Sequence, residues 1–172
     1  MKNNFRRIRE VGETVLNGRY TILDIVHKGG MSTVYKVRDS QLGTNWCLKE
    51  IDRGNAGRNK IEYRSLLREA KIMRGLSHPS IPRIVTIEED GDSIFIVMDF
   101  ISGKSLKEIL DSRRVLTQSQ SISIMSQVAK VMVYLHGLSN PIIYRDMNPS
   151  NIMLQKDGSI RVLDFVISEE IS

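Results

Sequence analysis

Apolar periodicity changes once along this chain, near Gly103, and that change constrains the fold more than any other feature. Before it, apolar residues come in short blocks or alternate, as strands require. Tyr20–His27 (YTILDIVH) is rich in β-branched and apolar residues, and Thr33–Asp39 (TVYKVRD) alternates around Val34 and Val37. Asn45–Ile51 is a third short apolar run. HKGGMS between the first two is a glycine turn, and Arg53–Asn59 (RGNAGRN) is a loop by composition. One helix interrupts the strands. Tyr63, Leu66, Leu67, Ala70 and Met73 form a single apolar stripe with Glu69 on its flank. Gly75 and His78-Pro79 stop it. Ile84–Ile87 and Ile94–Met98 read as two further strands around a turn at Glu88–Ser93.

After Gly103 the spacing becomes helical. Lys104–Arg113 is expected as one helix. Thr117 and Gln120 make a capping box for the next. Its stripe is Ser121/Ile122, Met125, Val128/Ala129, Met132 and Leu135, and Gly137 ends it. Ile142–Asn151 reads as a loop, followed by short strands near Ile152–Leu154 and Ile160–Leu163 around Lys156-Asp157-Gly158. A strand-rich half before a helical half, with a candidate hinge at Asp99–Gly103, predicts an α+β fold in two lobes.

Composition narrows the class. At 172 residues, 41% hydrophobic and 26% charged, the chain has the make-up of a soluble globular protein. Its one cysteine, Cys47, excludes an internal disulfide and a Cys-rich zinc cage. The net charge of +5 is spread along the chain with acids between the bases, so no nucleic-acid partner is expected. The densest basic run, Lys2, Arg6, Arg7 and Arg9, reads as a solvated tail rather than a membrane-touching segment. No stretch approaches the roughly 18 apolar residues of a membrane span, and no signal-peptide core follows the first basic residues. The expected location is cytoplasmic.

Chemistry-bearing residues then occur in a telling order. HKGGMSTVYKV is the kind of loop that lays backbone N–H groups over phosphates, although a plain hairpin turn explains it equally well alone. Lys49 follows Gly29 by 20 residues, and Glu69 follows Lys49 by 20 more; either alone is an ordinary solvated charge. Asp146 and Asn151 lie in a loop, with Asp164 thirteen residues beyond Asn151. Asn151 and Asp164 offer hard oxygens of the kind Mg²⁺ uses beside phosphate. Asp146 can orient a hydroxyl or accept its proton.

These segments, KGGMSTVYKV, WCLKEI, REAKIM, LSHPSIPRI, IVMDFISGKSL, YRDMNPSNIML and VLDFVIS, resemble in order and spacing a eukaryotic-type Ser/Thr protein kinase of the bacterial kind. The likeness runs from about Gly18 to Ser168. It implies a five-stranded N-lobe with one helix and the first part of a helical C-lobe. The expected divisions are a basic tail at 1–17, an N-lobe at 18–98, a hinge at 99–103 and a partial C-lobe at 104–172. By resemblance, Val26, His27, Lys28, Gly29, Gly30, Met31, Ser32 and Val34 would cover the phosphates of ATP. Lys49 would pair with those phosphates and with Glu69. Cys47 and Met153 would sandwich the adenine, Met98 would guard the back of the pocket, and Asp99 and Ile101 would offer backbone hydrogen bonds. Asp146 would be the catalytic acid/base, Asn151 and Asp164 would hold Mg²⁺, and a protein Ser/Thr hydroxyl would be the acceptor.

Four departures accompany the likeness. Asn148 stands where Ser/Thr members carry a lysine that neutralises the transferring phosphoryl group, and losing such a donor costs on the order of 10²–10³ in rate. Val166 replaces the glycine of Asp-Phe-Gly, and a β-branched residue resists φ > 0. His27 replaces the first loop glycine. The sequence ends at Ser172, eight residues after Asp164, so an activation segment and later helices are not expected in this chain. An exposed stripe of Ile122, Met125, Val128, Met132 and Leu135 would then call for a partner. Three other readings stand beside an active kinase: a pseudokinase-like binding module, a kinase remnant, and a small-molecule phosphotransferase with a related lobe.

Overall fold

The structure, a computed structural model, describes residues 8–29, 32–52, 60–112, 115–163 and 167–170. The chain divides into two units. One comprises the chain up to Arg74 together with Arg83–Phe100, the other Gly75–Pro82 together with the chain from Ile101.

The first unit is an antiparallel sheet with one helix. Its strands are β1 (Thr14–Val15), β2 (Tyr20–Lys28), β3 (Ser32–Asp39), β4 (Asn45–Asp52), β5 (Ile84–Asp90) and β6 (Ser93–Asp99), in the spatial order β1-β2-β3-β4-β6-β5. Helix α1 (Lys60–Arg74) packs against β5 and buries Ala70 and Met73. Strand alternation sorts the side chains. Ile22 pairs with Val37, Tyr35 with Leu48, and Leu48 with Val97, so one face carries the buried cluster. Tyr20, Phe95, Val15 and Leu16 complete it. A fully buried aliphatic or aromatic side chain contributes about 1.5–3 kcal/mol, so this face is the unit's main source of stability.

Three expectations change here. The sheet has six strands rather than five, because Thr14–Val15 adds a short edge strand paired with Tyr20 and Thr21. The segment from Ile8 onward is not a solvated tail. Val15 and Leu16 lie in the core, and Arg9 reaches the buried Glu50 at 3.2 Å; Lys2, Arg6 and Arg7 fall outside the described residues. Leu16 and Asn17 take positive φ (51° and 57°) in the bend before β2, a conformation non-glycine residues adopt rarely. Burial of Leu16 in the core offsets that cost. The turn placed at Glu88–Ser93 contracts to Gly91-Asp92, with Gly91 at φ 57°, because the acids before it continue β5 to Asp90.

The second unit holds β7 (Lys104–Ser105), α2 (Leu106–Asp111), α3 (Gln118–His136), β8 (Ile142–Tyr144), a 3₁₀ turn at Pro149–Asn151, β9 (Ile152–Leu154), β10 (Ile160–Val162) and β11 (Ile167–Glu170). Strands β10-β9-β7 form one small sheet and β11-β8 another. The helix expected at Lys104–Arg113 is shorter. Ser105 is its cap, in a capping box with Glu108, so Lys104 and Ser105 stay extended and pair with β9. Gly103 approaches β9 so closely (φ 144°) that an added Cβ would sit 2.5 Å from the Leu154 carbonyl oxygen, which reserves the position for glycine. Ile142–Tyr144, read as loop, is a strand too short for periodicity to reveal.

Helix α3 begins at the capping box expected, with Thr117 and Gln120 bonding each other's backbone amides. Its buried face overlaps the expected stripe at Val128 and Leu135 only. Ile124, Val128, Val131 and Leu135 are buried, and α3 packs against β8 and β10. Ile122 and Met125 are each 62% exposed, and Met132 is half-buried. Two apolar series of three-and-four spacing overlap on this helix, and only packing chooses between them. Of the stripe expected to want a partner, Ile122 and Met125 stay exposed, and Val133 on the same helix is exposed as well.

Candidate functional site

Strand β4 is paired on both sides. Lys49 sits opposite Val34 on β3 and opposite Ile96 on β6, and Cys47 opposite Lys36 and Met98. Residues opposite one another share a face, and Leu48 between them faces the core. Val34, Cys47, Lys49 and Met98 therefore form one patch on the face away from the main cluster, each half-buried. His27 is a strand residue opposite Val34 and is exposed, as are Val26 and Lys28. The Gly29 amide bonds the Ser32 carbonyl at 2.9 Å and closes the hairpin. Gly30 and Met31 lie outside the described residues.

Glu69 is half-buried on α1. Asp99 ends β6, and both its groups hold Arg83: its amide donates to the Arg83 carbonyl at 3.0 Å, and its carboxylate accepts from the Arg83 amide at 2.9 Å.

Sequence reasoning missed Glu50. On an alternating strand it falls on the core face, where a charge must be paired. Its carboxylate accepts from Arg9 (3.2 and 3.3 Å), the Ser93 hydroxyl (2.9 Å) and the Tyr35 hydroxyl (3.2 Å). Burial, with this neighbouring carboxylate adding to it, pushes the Tyr35 phenol above its usual range. The network anchors the strand that carries Lys49. A charged residue in phase with Leu48 was the available signal.

In the second unit the loop after β8 converges on Asp146. Asn151 donates from Nδ2 to the Asp146 carboxylate (3.0 Å) and carbonyl (2.9 Å). Asn148 donates from its own Nδ2 to the other carboxylate oxygen (2.9 Å) and the same carbonyl (3.2 Å). Asn148 Oδ1 accepts from the Ser150 amide at 2.9 Å and caps the 3₁₀ turn. The Asn151 carbonyl accepts from the Leu163 amide at 2.7 Å, and the Tyr144 hydroxyl donates to the Leu163 carbonyl at 2.8 Å. The backbone one residue before Asp164 is thus tied to Asn151. Asp164, Phe165 and Val166 lie outside the described residues.

Ile101 and Met153 are half-buried in this unit, Met153 on β9 opposite Arg161 and Ser105. The structure thus gathers Val34, Cys47, Lys49 and Met98 in one unit, and Asp146, Asn148 and Asn151 in the other.

A family model described as "Protein kinase domain" matches residues 20–172. The chain belongs to the protein kinase family. This kinase chain is 33% identical over 157 residues to the serine/threonine-protein kinase PrkC of Bacillus subtilis, covering 91% of this chain and 24% of that protein. It is 32% identical over 154 residues to the probable serine/threonine-protein kinase PknB of Lactococcus lactis, covering 90% and 24%. The chain therefore spans about a quarter of the length of these relatives. Among solved structures, Rad53 1-466 in complex with AMP-PNP superposes with a TM-score of 0.79 at 27% identity, covering 88% of this chain and 40% of that one. The kinase-like α+β fold is thus shown.

Proposed function

We propose that this chain carries the nucleotide-binding and catalytic-loop parts of a Ser/Thr protein kinase that moves a phosphoryl group from Mg²⁺-ATP to a protein Ser or Thr hydroxyl. One observation supports this most: the Asp146 carboxylate, exposed to an incoming hydroxyl, is held by the amide of Asn151. The donor set suits the group. Asn151 spends its nitrogen on Asp146, which leaves its amide oxygen for a hard cation. A hard cation held here would bring phosphate oxygens with it. Bound Mg²⁺-ATP supplies the phosphoryl group and neutralises its charge.

The chain's own residues divide the remaining work. Lys49 presents an ammonium to phosphate, with Glu69 to orient it. By the family resemblance, Val34, Cys47, Met98 and Met153 would give apolar contact to the base, and Asp99 and Ile101 would offer backbone groups to its edge. Val26 to Ser32, of which Gly30 and Met31 lie outside the described residues, would cover the phosphates. Asp146 would orient the acceptor hydroxyl and take its proton, and Asn151 with Asp164 would hold Mg²⁺. The divisions at 18–98, 99–103 and 104–172 belong to the same proposal, with the segment from Ile8 joined to the first lobe, as does a cytoplasmic location, where ATP is at hand. Among the described residues no helix is long and apolar enough to cross a membrane.

A second proposal, a module that holds nucleotide without turnover, is favoured by Asn148, whose amide brings no charge to the phosphate. Asp146→Asn separates the two. The enzyme proposal expects phosphate transfer from γ-labelled ATP to a general protein acceptor, reduced about 10²–10⁴-fold by the substitution. Nucleotide-induced thermal stabilisation that is lost in Lys49→Met, without any transfer, would leave only the binding module.

A further inference from the structure

We propose that Asn148 is a positioning residue for Asp146 rather than a contact for the transferring phosphate; this rests on the phosphotransfer proposal above. Asn148 Oδ1 is taken by the Ser150 amide, and that bond fixes the plane of the side chain. Its Nδ2 is thereby aimed at Asp146, 2.9 Å from one carboxylate oxygen and 3.2 Å from the carbonyl. Asn151 grips the other oxygen from its buried side. Asp146 is exposed, so packing does not select its rotamer. The two amides do.

A carboxylate has about four acceptor sites. Among the described residues one on each oxygen is filled, and one on each is left for an incoming hydroxyl. A lysine at this position could not cap the turn, because an ammonium has no acceptor. Asn148 spends both ends locally, and its short arm extends no further. Where a lysine would bring a cation toward the phosphate, Asn148 adds a second amide hold on the Asp146 carboxylate beside that of Asn151.

Two substitutions separate clamping from capping. Asn148→Thr keeps a hydroxyl acceptor for the Ser150 amide and adds no charge, but lacks the amide that reaches Asp146. Asn148→Ser keeps a capping oxygen but lacks the amide. With the full chain and Mg²⁺-ATP, both are expected to lower kcat about 10²-fold, the scale of a misplaced reacting group, with the KM for ATP unchanged within about twofold. Cap retention should keep the thermal midpoint near that of the parent chain. A raised KM with kcat preserved would make Asn148 a phosphate contact, and an unchanged kcat would remove the positioning role.

If the parent chain transfers no phosphate, the phosphotransfer proposal fails, and nitrogen–proton NMR decides the clamp by itself. In Asp146→Ala the side-chain amide signals of Asn148 and Asn151 should both move and exchange faster with water. An Asn148 signal that stays in place would overturn the clamp.

Discussion

Strand β4 and the Asp146 loop place their chemistry by opposite means. Lys49 is set by register: two flanking strands, a buried face at Leu48 and a carboxylate network at Glu50 decide where β4 lies. Asp146 is set by two neighbouring amides within five residues of it. A register is distributed over many contacts. No single substitution moves it far, but a one-residue slip would turn every side chain to the other face. The loop depends on two side chains, so one substitution is enough to release its acid while the fold stays in place.

The sharpest attempt to break this contrast is Leu48→Ala. A fully buried leucine truncated in a dense core costs about 2–5 kcal/mol, depending on how far the site collapses. Trp46 is the chain's one tryptophan and packs on the same core, so its fluorescence during urea unfolding should show the loss. The Asn148 and Asn151 amide signals should stay unchanged under native conditions; if they shift, the two regions are not independently set.

A smaller effect is expected from Arg9→Ala. It leaves Glu50 buried with Tyr35 and Ser93 but without a cation, a loss of about 1–3 kcal/mol in the same experiment. An unchanged midpoint would mean that the two hydroxyls suffice and that the segment from Ile8 adds nothing to β4.

The smallest concerns the second unit and pH. His78 stacks on Tyr134 at 5.1 Å between ring centroids, and its Nδ1 accepts from the Ser80 amide, which a protonated ring could not do. Burial holds its pKa below 6.5. The unfolded chain therefore binds more protons just under that value, and stability falls as pH drops through it. Between about pH 7.5 and about pH 5.5, the parent chain should lose more stability than His78→Gln. Equal losses would show that this ring does not titrate between folded and unfolded states.

Much of this was legible in the residues. Alternation and β-branching gave β2 to β6 within a few residues, since burying one face of a strand leaves a period of two. The capping box at Thr117 gave the start of α3, because unsatisfied amides at a helix N-terminus call for those side chains. The order of Lys49, Glu69, Asp146 and Asn151 pointed to the kinase family. What could not be read were features without periodicity or with two. Strands β1, β7 and β8 are two or three residues long. The face of α3 was ambiguous because both of its apolar series have helical spacing. Arg9 and Glu50 lie 41 residues apart, and no local pattern joins them.

Asn148 shows the same boundary inside the site. Its identity said that a charge was missing; its partners say what stands there instead. By itself the sequence determined the fold family, the order of the longer elements and the identity of the acid and amide in the loop, because these rest on local spacing and residue chemistry. The tertiary structure decided which face of α3 is buried, that the segment from Ile8 belongs to the first unit's core, and that Asn148 turns toward Asp146. Those outcomes depend on which groups meet across space, where a hydrogen bond or a buried contact has to compete with water.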